Sequence, residues 1–300
     1  MSQLQHMAVF AAVAEAQSFA GGARKLRMSA PAVTRAVAAL ERKLRVKLLT
    51  RSTRHVRITD AGLRFLADTR RILADVQAAE DAARGINSAP AGTLTMTAPV
   101  IFGRKLVMPI VTEFLERYPE TSVTALFDDR VANLLEEGVD VAIRIGELKD
   151  SALNAVQVGW VRRVLCAARS YLKVRGEPKL PGELSSHSII GAATVAPTTE
   201  WHFAGKPSIV RIKPRLIVSN NDAAIVACEK GLGITRLFSY QVAEGVQEDR
   251  LRIILPDFEL APLPVHVVYR GGRQAAASVR AFVEIATSQL KETPLLAKRA

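Results

Sequence analysis

The chain has 300 residues, too many for one compact core and enough for two or three folding units. Apolar residues at 49% and charged residues at 23% exclude a disordered or fibrous chain, and no apolar run is long enough to span a bilayer. The net charge of +12 is the unusual number, and it points to a polyanionic partner.

That charge is concentrated at one end. Residues 1–60 carry eleven basic side chains against Glu15, Glu41 and Asp60, a net +8, which leaves only +4 for the remaining 240 residues. Leu4, Met7, Phe10 and Val13 form a helical stripe. Ser18 is placed to cap a second short helix that turns Phe19, Ala23 and Leu26 inward. Ser29 is placed to cap a third, with Pro31 in its first turn, where a missing N–H costs little. In that third helix Val33, Val37, Leu40 and Leu44 fall within about 60° of one another. The opposite face carries Pro31, Arg35, Ala38 and Arg42, with Thr34 at its edge. It is small, basic and free of carboxylates, as a helix entering the major groove must be. Leu48 to Thr59 is β-prone and carries Arg51, Arg54 and Arg57, which predicts a wing lying along the phosphate backbone.

The run Phe10-x-x-Val13, Ser18-Phe19, Ala23-x-x-Leu26, Ser29-x-Pro31-Ala32-Val33-Thr34-Arg35, Leu40-Glu41-x-x-Leu44, Leu48, Arg51 and Thr59-x-Ala61-Gly62 closely resembles the LysR-type transcriptional regulators. The resemblance implies a winged helix-turn-helix over residues 1–60. Ser29, Pro31, Ala32, Thr34 and Arg35 would meet bases and phosphates of double-stranded DNA, and Arg51 and Arg54 would lie on the wing. Four departures stand out. Ala30 replaces a frequent Gln and removes a base reader. Gly21-Gly22 replaces Ala-Ala, which lowers helix propensity by about 1 kcal/mol per glycine. Arg27 and Arg45 stand where glycines end helices; if left-handed there, each costs on the order of 1 kcal/mol. Phosphate binding by these two arginines would compensate.

Residues 63–84 contain neither Pro nor Gly, and Leu66, Thr69, Leu73, Val76 and Ala83 recur at helical spacing, with Glu80 where the pattern lapses. A linker helix over residues 61–85 follows, and the resemblance implies homodimerisation through Leu66, Leu73 and Val76, with tetramers common in the family. Residues 86–92 form a hinge of small residues with Gly and Pro.

Beyond the hinge, strands and helices alternate. The pattern predicts strands at Leu94–Ala98, Ser122–Phe127 and Val139–Ile145, and helices at Arg104–Tyr118 and Val131–Glu137. A second set runs from Val161–Ala167 through Asn221–Gly231 to Val242–Gly245. Val265–Tyr269 and a last helix near Ala275–Leu290 close the chain. This is an α/β domain over residues 93–300 with a mainly parallel sheet, lobe I near 93–160 and 268–292 and lobe II near 161–267. The segments Leu94–Pro99, Glu136–Gly146, Arg162–Ala167, Asn220–Asp222 and Gly231–Ile234 resemble the same family's periplasmic-binding-protein-like effector domain. By position, that resemblance implies an effector cleft lined by Thr97, Ala98, Pro99, Val100, Asp128, Arg144, Trp201, Asn220 and Thr235. The effector itself stays unidentified, and the residues favour a small anion. Thr97 closes a strand before a helix start, where free N–H groups can hold a carboxylate. Arg144 is a charge in an apolar strand; it either meets the effector or pairs with an acid. Asp222 would repel an anion, and Asn220 through Asp222 also fit a simple helix start.

No catalytic arrangement is present in the sequence. Five histidines lack metal-ligand spacing, no phosphate loop or nucleophile elbow occurs, and Gly231-x-Gly233 is too short to count. Cys166 and Cys228 sit in apolar stretches and read as core thiols of a reducing compartment. Without a signal sequence or membrane span, a cytoplasmic protein is expected, with no cofactor, no metal and no membrane partner, and with RNA polymerase as a further partner. The alternative is a constitutive or architectural DNA-binding protein that has lost effector sensing.

Overall fold

A computed structural model describes residues 1–51, 56–83, 89–129, 138–148, 153–192, 199–206, 208–271 and 275–297. Two compact units emerge, one built mainly from Met1–Ala89 and the other from Pro90–Leu134, Val139–Gly272 and Ser278–Ala300. Among the described residues no helix is long and apolar enough to cross a membrane.

The first unit opens with α1 (Gln3–Ala16), α2 (Phe19–Lys25) and α3 (Ala30–Leu44). Met7, Phe10 and Val13 of α1 are buried against Ala23, Val33, Val37 and Leu40, whereas Leu4 stays exposed in the first turn. Ser18 and Ser29 cap α2 and α3 by accepting from the N–H groups of Gly21 (3.2 Å) and Ala32 (3.4 Å). The Gly-Gly pair has a packing reason: a Cβ at Gly22 would lie 2.7 Å from Val13, so α1 and α2 cross where only glycine fits. The close contact offsets the lost helix propensity.

Strands β1 (Leu49–Arg51) and β2 (Val56–Ile58) pair antiparallel as the wing. Helix α4 (Asp60–Ala83) follows over 24 residues. The Thr59 hydroxyl donates to the Lys47 carbonyl (2.8 Å) and accepts from the Gly62 N–H (2.9 Å), fixing the turn from wing into helix. A Cβ at Gly62 would sit 2.1 Å from the Leu48 carbonyl oxygen, so no other residue fits there. Leu66 is buried in this unit's own core, with Phe65 against Phe10 (ring centroids 5.6 Å apart). The expected dimer contact at Leu66 is thereby corrected: α4 uses its first turns to close the protomer. Leu73 and Val76 remain half-buried further along.

The second unit contains two five-stranded sheets. In lobe I, β3 (Gly92–Ala98), β4 (Thr121–Phe127), β5 (Val141–Ile145), β6 (Asn154–Val161) and β14 (Leu263–Tyr269) are ordered β4-β3-β5-β14-β6. In lobe II, β7 (Arg163–Ala168), β8 (Ile189–Ala192), β11 (Pro214–Val218), β12 (Ile234–Phe238) and β13 (Leu251–Ile254) are ordered β11-β8-β12-β7-β13. Each sheet has a parallel half and an antiparallel half, so both are mixed rather than mainly parallel. The antiparallel half arises because the chain crosses between lobes on β6–β7 and returns on β14. All of β14 pairs within lobe I, so the return precedes residue 263, earlier than the expected 268. The minor pair β9 (Glu200–His202) and β10 (Ile209–Arg211) lies outside both sheets.

The helix expected from Arg104 begins instead at Val100. It runs as α5 (Val100–Phe102), a π turn (Gly103–Val107) and α6 (Met108–Arg117). In lobe II, α7 (Arg169–Arg175), α8 (Asn221–Glu229) and α9 (Ser239–Gln247) pack around the sheet, and α10 (Ala277–Glu292) closes the unit. Alternation along β7 sends Val164 and Cys166 to one core cluster and Leu165 and Ala167 to the other. The expected helix at Val131–Glu137 lies outside the described residues.

The first unit holds one buried acid among the described residues. Glu41 of α3 is 7% exposed and accepts from the backbone N–H groups of Leu48 (3.0 Å) and Leu49 (3.2 Å) and from Lys47 Nζ (2.7 Å). Burial alone would raise its pKa, but the Lys47 ammonium and the two N–H bonds outweigh that and hold it below 4.5. Glu41→Ala leaves two buried donors unmet and should cost about 2–4 kcal/mol in urea unfolding at pH 7. Because the folded carboxyl is depressed, its contribution is complete above 4.5 and fades as pH falls through the lower folded value. The stability gap between wild type and variant should therefore narrow in acid; a gap that stays constant would assign the effect to packing.

Candidate DNA interface and effector cleft

Helix α3 has the buried stripe and the small, basic opposite face that its sequence predicts. Val33, Val37 and Leu40 are buried, while Ala30, Pro31, Arg35 and Arg42 are exposed and Ala32, Thr34 and Ala38 half-buried. The Ser29 hydroxyl is engaged as the cap at the start of this face. Arg24, Arg27, Arg35, Arg42 and Arg45 are all exposed, and none forms an ion pair among the described residues. Their neighbours Lys25 and Arg70 are neutralised by Glu15 (2.8 and 3.0 Å), and Lys47 by Glu41. Open positive charge thus remains on and beside the reading helix.

Arg27 and Arg45 both adopt left-handed backbone, with φ of +51° and +54°. They end α2 and α3 in the conformation that glycine holds without strain, and each carries a strain on the order of 1 kcal/mol. Arg51 belongs to β1, and Arg57 of β2 is exposed. Arg54 lies outside the described residues.

In the second unit a cavity of about 420 Å³ opens between the two lobes. Of the residues expected there, Thr97, Ala98, Pro99, Asp128, Arg144 and Trp201 line it. Val100, Asn220 and Thr235 do not, each for a local reason. Val100 turns its N–H to Asp129 Oδ1 (3.0 Å). Asn220 is the N-cap of α8 and accepts from the Ala223 N–H (2.8 Å). Thr235 is fully buried on β12, and the cavity lining on that strand begins only at the next residue, Arg236.

The anion site expected at Thr97 and the following helix start is already filled. The Thr97 hydroxyl donates to the Leu126 carbonyl (2.7 Å), and the Asp129 carboxylate occupies the helix N-terminus at Val100. Asp129 also accepts from Asn221 Nδ2 (3.4 Å) on the facing lobe. Burial, opposed by the Val100 N–H and reinforced by Asp128 and Asp222, raises its pKa. Asp222, expected to repel an anion, is itself paired with Arg104 (2.8 Å). Lys105 and Glu244 (2.8 Å) make a second bridge from the π turn to lobe II.

Sequence reasoning missed two of the charges lining the cavity, Arg163 and Arg236. The signal was there: Arg236 interrupts the apolar strand Ile-Thr-Arg-Leu-Phe just as Arg144 interrupts Val-Ala-Ile-Arg-Ile. Asp129, Tyr240 and Gln241 were missed as well. The two cysteines are both buried, and Cys228, then burial, pushes the Cys166 thiol well up, which makes it a poor nucleophile.

Comparison with known proteins matches residues 4–63 to the bacterial regulatory helix-turn-helix protein model of the lysR family, and residues 87–291 to the LysR substrate binding domain. The HTH-type transcriptional activator AaeR of Escherichia coli K12 is 32% identical, covering 97% of this chain and 95% of its own length. The HTH-type transcriptional regulator CrgA of Neisseria meningitidis is 30% identical, covering 95% and 96%. The solved structure of CrgA superposes with a TM-score of 0.62 at 29% identity, covering 97% of this chain and 99% of that one. A full-length OxyR variant from Pseudomonas aeruginosa shares the fold, with a TM-score of 0.67 over 99% and 97% of the two chains at 14% identity. The reading helix, the wing and the two-lobed cleft are thus those of a DNA-binding transcriptional regulator with a substrate-binding effector domain, and this chain belongs to the LysR family.

Proposed function

We propose that this regulator grips its operator through α3 with more reliance on phosphate than on base readout, and that a small molecule in the interlobe cleft controls the grip. The observation that carries the reading is the unpaired set of Arg27, Arg35, Arg42 and Arg45 on and around a small-residue helix face. Thr34 and Arg35 are the base readers. Ser29, Pro31 and Ala32 allow close approach, and Arg27, Arg51 and Arg54 hold phosphates. Ala30 supplies no base contact where a glutamine would.

The partner copy pairs along α4 through Leu73 and Val76, which are half-buried and follow the core contacts at Phe65, Leu66 and Ile72. A dimer presents two reading helices, which suits a two-fold operator with half-sites about one helical turn apart or a multiple of it. RNA polymerase at the adjacent promoter, in the cytoplasm, is the further partner. The cleft of about 420 Å³ is of the size that holds a small ligand, which favours effector sensing over a constitutive role.

Footprinting on the region upstream of the regulator's own gene tests the operator reading; two protected half-sites are expected. Arg35→Ala should cost about 1–3 kcal/mol on the operator and relax the preference at one base position. Arg27→Gly and Arg45→Gly should each stabilise the N-terminal unit by about 1 kcal/mol, because glycine relieves the left-handed strain. Each should also lower the slope of log affinity against log salt by about 1. An unchanged slope would remove phosphate binding as the role of these arginines.

A further inference from the structure

Lobe II places two guanidinium groups side by side without a carboxylate. Antiparallel pairing of β7 with β12 sets Arg163 opposite Phe238 and Leu165 opposite Arg236. The two arginines therefore lie diagonally on one face of the sheet, about 7–8 Å apart at their bases. Each guanidinium rests on an aromatic ring, Arg163 over Phe238 at 5.5 Å and Arg236 over Trp201 at 5.0 Å. Neither forms an ion pair or hydrogen bond with a described residue. The adjacent Arg162 shows the contrast, since Glu259 takes it with both oxygens at 2.9 and 2.7 Å.

Burial first, and the neighbouring Arg163 charge second, lower the Arg236 pKa to about 10, so it still carries its proton at neutral pH. Two like charges are thus held together in a partly dry pocket; the nearby Glu259 is engaged with Arg162, and Asp128 and Asp129 line the cavity without pairing with either arginine. A cation–π contact offsets little of the cost of burying charge. Stacking fixes the planes and leaves the N–H edges open, which is the geometry for taking carboxylate or phosphate oxygens in pairs. The rival anion position across the cleft is closed, because Asp129 occupies the helix start at Val100. Ile143, Ile145 and Ile190 supply an apolar wall for the rest of a ligand.

With the cleft read as the effector site, we propose that Arg163 and Arg236 form a subsite for a dianionic head group, two neighbouring carboxylates or a phosphomonoester, carried on an apolar body. A single negative charge would leave one guanidinium uncompensated; a dianion balances both.

Calorimetric titration of the full-length protein with benzoate, phthalate and phenyl phosphate tests this. The three share a ring and differ in charge and head group, so whichever dianion binds names the head group. At least one of the dianions should bind about 10-fold or more tightly than benzoate, a gap of about 1.4 kcal/mol. That preference should collapse in Arg163→Gln and Arg236→Gln. Arg236→Lys should bind at an intermediate level, since a point charge cannot replace the planar fork. Trp201 emission should shift on binding in wild type, because the ligand draws Arg236 across the indole, and should not shift in the Trp201→Phe control. Benzoate binding as tightly as the tighter of the two dianions, or a dianion preference that survives in the double glutamine variant, would overturn the subsite while leaving the cleft as the effector site. Failure of all three probes to bind wild type would count against both.

Discussion

The geometry of the DNA-binding unit depends on one carboxylate held out of water. Glu41 sits on the reading helix and accepts two N–H groups from the start of the wing, so the helix and the β-ribbon that must contact DNA together are fixed by one side chain. A hydrophobic contact could hold the two elements close but could not fix the wing's register, because burial is non-directional. The directional bond is affordable only where both N–H groups would otherwise be unpaired at the head of a strand. Lys47 then completes the site by offsetting the buried charge. The motif Leu-Glu-x-x-Leu is thus a structural device within a DNA-binding surface. A buried acid there also keeps the negative charge off the face that must meet phosphate.

Internal carboxylates do related work across the molecule, and where they are absent is informative. Glu15 neutralises Lys25 and Arg70, Glu259 takes Arg162, and Asp222 takes Arg104. Asp129 occupies a helix N-terminus that could otherwise hold an external anion. Against that background, two surfaces among the described residues gather uncompensated arginines: the reading helix with its flanks, and the cleft wall of lobe II. A fold that supplies acids to so many other arginines leaves these two surfaces positive because their counter-charges come from outside. On α3 the counter-charge we propose is DNA phosphate.

The parts of this design legible in sequence were those governed by local rules. The caps at Ser18 and Ser29 and the buried stripe of α3 follow from spacing and hydrogen-bonding chemistry within a few residues. Sheet composition did not, because the antiparallel halves depend on where the chain crosses between lobes, at β6–β7 and β14, and no local pattern marks a crossing. The cleft was half legible. Residues such as Thr97 and Asp128 came from the family resemblance, whereas Arg236 belongs to no motif of that resemblance and is marked only by being a charge in an apolar strand. The role of Gly22 was also hidden: its cost appears in the helix, and its benefit appears only against Val13.

Arg27 and Arg45 show how function can be read from a violation of a local rule. Both occupy left-handed positions where glycine would relieve strain, and both are exposed, so no packing contact compensates within the protomer. Gln17 at the end of α1 shows that the fold tolerates a non-glycine residue there, so tolerance explains why arginine is permitted. It does not explain why a long cation follows the C-terminal end of both helices of the helix-turn-helix. The strain of about 1 kcal/mol at each is comparable to the gain from one exposed phosphate contact. On the proposed reading, a stability loss in the free protein is recovered on DNA, because both left-handed arginines are exposed beside the reading helix. An atypical recognition helix lacking a glutamine reader and flanked by two strained arginines is internally consistent. That combination is the basis of the proposed reliance on phosphate contacts over base contacts.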